Sequence, residues 1–183
     1  TVVHHEVQRF HDAHQEAGGH DGGDDGHEDV AQCLDGLLVP RGFGSGCLLD
    51  FLFGSSADTG QTYGRYPMAE GEWFSVGFVH SVNKSPVIDC YEIKHHSIYV
   101  EKTIYYNFGA GVQTELEGNE TLSYGEDGAM IVSGFDREMP DLTYFVGTVS
   151  DHTLIVNDGE EISLRNLCGR SSKVRFTYEW LWW

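Results

Sequence analysis

The sequence predicts an all-β protein: an antiparallel barrel of eight to nine strands, carrying an irregular acidic extension at its N-terminus. Three observations lead there. From Gly71 onward β-branched and aromatic residues dominate, apolar and polar residues alternate within the runs, and nearly every junction between runs carries Gly, Pro, Asn or Asp. Short strands at regular spacing without helical periodicity leave a sandwich or a barrel, and closure removes edges that Ile, Tyr and Trp would make adhesive.

Three segments follow. Residues 1–32 interleave His4, His5, His11, His14, His20 and His27 with Asp and Glu, and Gly18-Gly19 and Gly22-Gly23 interrupt any helix beyond Ala17. Residues 33–70 are Gly-rich, with one strand expected in the run Cys47 to Phe53. Residues 71–183 form the β domain, with strands expected at Trp73–Val82, Val87–Ile93, Ser97–Phe108, Gly111–Leu116, Leu122–Phe135, Leu142–Val149, Thr153–Val156, Ile162–Leu164 and Lys173–Trp182. Alternation is clearest over Ile98 to Tyr105 and Val174 to Trp180, so one face of each is buried and the other wet.

Composition narrows the function. The chain has 183 residues, enough for one well-buried core, and 29 acidic against 11 basic side chains give a net charge of −18. A polyanion is repelled by such a surface, so neither nucleic acid nor an anionic membrane is an expected partner. No apolar run approaches the length of a spanning helix, and the chain reads as soluble.

Four cysteines without a C-x-x-C pair argue for two disulfides in a secreted protein, and three connectivities are open. The pairing expected joins Cys90 to Cys168, stapling the early strands to the last, and Cys33 to Cys47, closing a Gly-rich loop. The triplet Asn119-Glu120-Thr121 is a glycosylation acceptor that suits an extracellular surface turn.

No catalytic signature is present. Gly44-Ser45-Gly46 lacks the strand–turn–helix setting of a nucleophile elbow, and carboxylates in an acidic chain do not by themselves define an acid–base pair, so the expectation is not an enzyme. His11 and His14 would share a helix face and suit a transition metal, against the plainer reading of a solvated tail. Asp21, Asp24, Asp25, Glu28 and Asp29 offer the hard oxygens calcium takes, without an EF-hand loop. No cofactor is required. Haem would need an inward histidine among His80, His95, His96 and His152, and only one of the adjacent His95 and His96 can point inward.

Gly71-Glu72-Trp73-Phe74 resembles the G-x-W motif that opens the first strand of lipocalins, and Cys90 follows at a spacing similar to that of blood-feeding-arthropod members of the nitrophorin and triabin type. Tyr105-Tyr106-Asn107-Phe108 and the stretch Tyr144 to His152 look like later strands of that family. The resemblance implies a carrier with Trp73 closing one end, covered by Arg170 or Arg175. Its ligand would be a small hydrophobic molecule held by Trp73, Phe78, Tyr99, Tyr105, Tyr144, Phe176 and Tyr178.

A second resemblance is to the linker chains of annelid giant haemoglobins. The acidic run before Cys33 looks like the end of a calcium-binding module, and Gly42 to Cys47, Asp127 to Asp136 and Tyr144 to Gly147 look like parts of the linker barrel. That resemblance implies an extracellular assembly subunit whose partners are other proteins. The indoles at Trp180, Trp182 and Trp183 would also favour docking on the barrel or on a partner.

Overall fold

A computed structural model describes residues 49–81, 84–106, 116–125 and 128–181. The predicted acidic extension, its histidines, the calcium candidates Asp21, Asp24, Asp25, Glu28 and Asp29, and the pair Cys33 and Cys47 lie outside the described residues.

The all-β expectation holds. In chain order the strands are β1 (Leu49–Ser56), β2 (Thr62–Pro67), β3 (Trp73–Val79), β4 (Pro86–Lys94), β5 (Ser97–Tyr105), β6 (Thr121–Tyr124), β7 (Met130–Glu138), β8 (Thr143–Val146), β9 (His152–Val156), β10 (Ile162–Ser163) and β11 (Ser172–Leu181), with one short helix, α1 (Leu164–Cys168).

The described strands make two sheets rather than one closed barrel, and they number eleven where eight to nine were expected. A four-stranded sheet runs β2-β1-β11-β8 and a seven-stranded sheet runs β10-β9-β3-β4-β5-β7-β6. Every pairing is antiparallel.

The count differs for two reasons. The expected single strand Leu122–Phe135 is a hairpin, β6 folding back on β7 through a turn where Gly125 N–H donates to Ala129 O at 2.8 Å. The Gly-rich segment also supplies two strands instead of one, and β1 pairs with β11 over its whole length, Leu49 opposite Leu181 through Ser56 opposite Val174.

The sheets close on one core. Leu52, Val146, Val174 and Phe176 from the small sheet meet Phe74, Val76, Tyr91, Ile93, Ile98, Val100 and Leu154 from the large one. Phe74 lies at the centre, stacked on Tyr91 at 4.9 Å between ring centroids and tilted against Phe176 at 5.9 Å. Burying one such aromatic contributes roughly 1.5–3 kcal/mol by the area it removes from water.

The opposite face of the large sheet carries a second cluster, Ile88, Cys90, Ile104 and Ala129, with Trp73, Tyr106 and Ile131 against it.

A bulge decides which β5 residues belong to which cluster. Cys90 faces Lys102 and Tyr91 faces Val100, leaving Glu101 as an extra residue. Because side chains alternate, the extra residue reverses the parity of everything after it: Ile98 and Val100 enter the main core, whereas Ile104 joins the second cluster.

The expected Cys90–Cys168 disulfide is absent, because the two cysteines lie with different clusters. Cys90 is buried in the second cluster, while Cys168 ends α1 on the main-core side, and both are thiols. Cys168 Sγ donates to Leu164 O at 2.9 Å, and burial raises its pKa above the usual thiol value.

His95 and His96 form the tip of the β4–β5 hairpin, both with positive φ (51° and 59°) and both exposed, between the paired Lys94 and Ser97. Two left-handed residues between paired strands make the turn that matches strand twist. Neither imidazole points into the core, so the expectation that one of them could is corrected.

Candidate functional site

The chain crosses from the small sheet to the large one between β8 and β9, and residues 147–151 of that crossing border an open cleft of about 720 Å³. The end of β3 gives Phe78 and Val79 to the cleft, β8 gives Phe145, the crossing gives Val149, β9 gives His152 and α1 gives Arg165.

Two of the apolar residues are far from buried: Phe145 is 57 % and Val149 84 % exposed. Phe145 follows directly from alternation, since its β8 neighbours Tyr144 and Val146 pack on the core and the residue between them must turn outward.

Asp151 holds the cleft's shape. Its Oδ1 accepts the backbone N–H groups of His152 at 2.7 Å and Arg165 at 3.0 Å, and its Oδ2 accepts the Ser163 hydroxyl at 2.5 Å. Ser163 Oγ accepts the N–H of Asn166 at 3.0 Å, so the same hydroxyl caps α1. At the opposite wall the Val79 N–H donates to Ser150 Oγ at 3.2 Å. The crossing is thereby tied to β3, β9 and α1 at once.

Among the described residues, three polar side-chain atoms of the cleft lining are buried without a hydrogen-bond partner: His152 Nδ1 and Arg165 Nε and Nη2. Leaving such a group unpaired costs about 1–3 kcal/mol, more for a charged one. Burial lowers the pKa of His152; the Arg165 charge pushes the same way, and the Asp151 charge opposes both.

Behind His152 lies a buried polar chain. Phe78 stacks on His152 at 5.1 Å, and Tyr144 meets both edge-on, at 6.5 and 5.7 Å. The Tyr144 hydroxyl donates to Asp89 Oδ2 at 2.7 Å, and Thr103 Oγ1 donates to Asp89 Oδ1 at 2.8 Å. Tyr144 has one proton and spends it on Asp89, so the 2.5 Å contact between the two phenols is Tyr91 donating to Tyr144.

Burial raises the pKa of Asp89 against the lowering effect of its two hydrogen bonds. Burial, reinforced by the nearby Asp89 charge, holds Tyr144 well above the usual phenol value.

Of the seven aromatics expected to contact a ligand, Phe78 lines the cleft and Tyr144 stands directly behind it. Phe176 is 1 % exposed and fills the core. Tyr178 lies elsewhere, its hydroxyl donating to Met68 O at 3.2 Å.

Trp73 sits with the second cluster, and the cation over its ring is Lys102 Nζ at 5.0 Å, not Arg170 or Arg175. Tyr99 lies beside the hairpin tip, edge-on to His95 at 6.0 Å. Tyr105 ends β5, opposite Val87 and Met130.

Of the histidines, His80 and His152 reach the cleft. Asn119 is exposed on the turn before β6. Among the described residues no cluster of three His, Cys, Asp or Glu side chains is placed to hold a metal ion, and no helix is long and apolar enough to cross a membrane.

The sequence reading missed Arg165, which lies on a five-residue helix too short for any periodic signal. It also passed over Asp89, a carboxylate inside an apolar strand whose signal was that mismatch.

Residues 74–164, just under half of the chain, match the model of a family described as a domain of unknown function, DUF1850. The matched stretch runs from β3 through the first residue of α1 and includes the crossing, Asp89 and Tyr144. No curated protein and no solved structure matches the chain significantly.

Proposed function

We propose that this is a non-enzymatic binding protein that holds a small, largely apolar molecule in the cleft between its two sheets, in the manner of a lipocalin-like carrier. The observation that carries the reading is the convergence of Phe78, exposed Phe145 and exposed Val149 on one concave site of about 720 Å³. Binding sites for small molecules are concave and mostly apolar, with a few fixed polar groups, and apolar side chains left open to water gain by being covered. Two sheets wrapped on one core give a barrel-like frame for such a site. An extracellular setting belongs to the same reading, supported by the exposed Asn119 triplet.

The test is titration of the full chain with a neutral apolar dye such as Nile red. Saturable emission enhancement at one dye per chain is expected, and it should weaken about tenfold in a Phe145→Ser, Val149→Ser double variant, whose exposed positions carry little of the core. Absence of any saturable response would overturn the reading.

A second reading, an assembly subunit, draws on a different surface. Edge strand β6 is exposed at all four residues and shows Leu122 and Tyr124 to water, an arrangement that invites another chain. Native mass measurement decides: a monomer with no co-purifying subunit would exclude it.

A further inference from the structure

Resting on the carrier reading, the polar groups of the cleft narrow the chemistry of its occupant. Arg165 borders the cleft, and its buried Nε and Nη2 have no acceptor among the described residues. These are the two nitrogens whose N–H bonds run parallel along one edge of the planar guanidinium, the edge that grips a carboxylate with two bonds together.

The one acid of the cleft, Asp151, is already committed: its oxygens accept the N–H groups of His152 and Arg165 and the hydroxyl of Ser163. His152, also in the lining, has a buried Nδ1 with no partner among the described residues. Lys84 adds another cation among the lining residues. In a chain of net charge −18, a concave site with two cations and one engaged carboxylate is a local reversal of sign. Beside the polar His80, Ser81, Thr148 and Ser150, the wall carries Phe78, Val79, Phe145 and Val149, which offer much to a hydrocarbon.

We propose that the cleft takes a small monocarboxylate with an apolar body, its carboxylate held by the Nε–Nη2 edge of Arg165 and its body against Phe78, Phe145 and Val149. A single guanidinium edge matches the two oxygens and single charge of a carboxylate. A phosphate monoester can take the same two bonds but keeps a third oxygen and further charge that this edge leaves unsatisfied.

The experiment is calorimetric titration of the full chain with decanoate, decanol and decyl phosphate at neutral pH. Decanoate should bind about tenfold or more tighter than decanol, and decyl phosphate should not exceed decanoate. R165Q should abolish the preference of decanoate over decanol, with R165K keeping part of it.

Equal affinity for decanoate and decanol would overturn the carboxylate assignment and leave the carrier reading standing, whereas failure of both to bind would overturn the two together. Tighter binding of decyl phosphate would also overturn the assignment. These three ligands decide the matter on the unaltered protein, so the outcome does not depend on R165Q folding.

Discussion

Tyr144 of the small sheet donates its hydroxyl proton to Asp89 of the large sheet across 2.7 Å, while accepting one from Tyr91. Two sheets that meet through the apolar core are therefore also pinned by two directional bonds converging on one hydroxyl, directly behind the cleft wall formed by Phe78 and His152.

Removing that hydroxyl should be costly out of proportion to its size. Tyr144→Phe leaves the Tyr91 hydroxyl without an acceptor and Asp89 with Thr103 as its remaining donor. Unfolding in urea should show a loss of about 1–3 kcal/mol at unchanged m-value. A change within error of zero would mean that the network contributes nothing net.

Asp89 should make the protein gain stability on mild acidification. Its folded-state pKa is raised above 3.8, so the native state binds a proton before the unfolded chain does. The resulting stability is fully present below 3.8 and is lost as pH rises through the folded value. Relative to Asp89→Asn, the wild type should therefore become more stable as pH falls from neutral toward 4. A flat difference between the two unfolding profiles would contradict this.

His152 acts in the opposite sense. Its folded pKa is lowered from 6.5, so the unfolded chain takes up the proton first, and stability present above 6.5 is lost as pH falls through 6.5 toward the folded value. Replacing it with Asn should remove that component. The His152 imidazole resonances of the native protein should titrate below 6.5.

Gly134 should tolerate no side chain. Its φ of 86° is unfavourable for an L-residue, and a Cβ there would come to 2.7 Å from Asn119 O. Gly134→Ala should cost about 1–3 kcal/mol, seen as a lower midpoint of thermal unfolding. It sits within the irregular stretch of β7 between Ser133, opposite Lys102, and Arg137, opposite Val100.

The strands of the large sheet were legible because their patterns are strong: Trp73–Val79 and Pro86–Lys94 lie within three residues of the runs read from β-branched and aromatic content. Strand β2 was not, since Thr62–Pro67 is an edge strand, half of it exposed and none of it fully buried, with Gly64 and Arg65 at its centre.

The site was harder to read than the fold. Trp73 and Phe78 are five residues apart on one strand, so alternation forbids them a common face, and they part between the second cluster and the cleft. Tyr99 and Tyr105, six apart, look equivalent by the same count, but the extra residue at Glu101 reverses the parity between them. Arg165 gains its position from Asp151, fourteen residues earlier, through a bond that no local pattern encodes.

The centre of the small sheet joins β1 to β11, the first and last of the described strands. Assembly of that sheet is therefore a late event. While the chain is being made, the β1–β2 hairpin, with Phe51 and Leu52 that end up buried, has no partner until Ser172–Leu181 leaves the ribosome. Pairing across so long a stretch of sequence is slow and leaves an adhesive edge open meanwhile. Yield in a cell should thus depend on how promptly the last ten-residue strand is delivered.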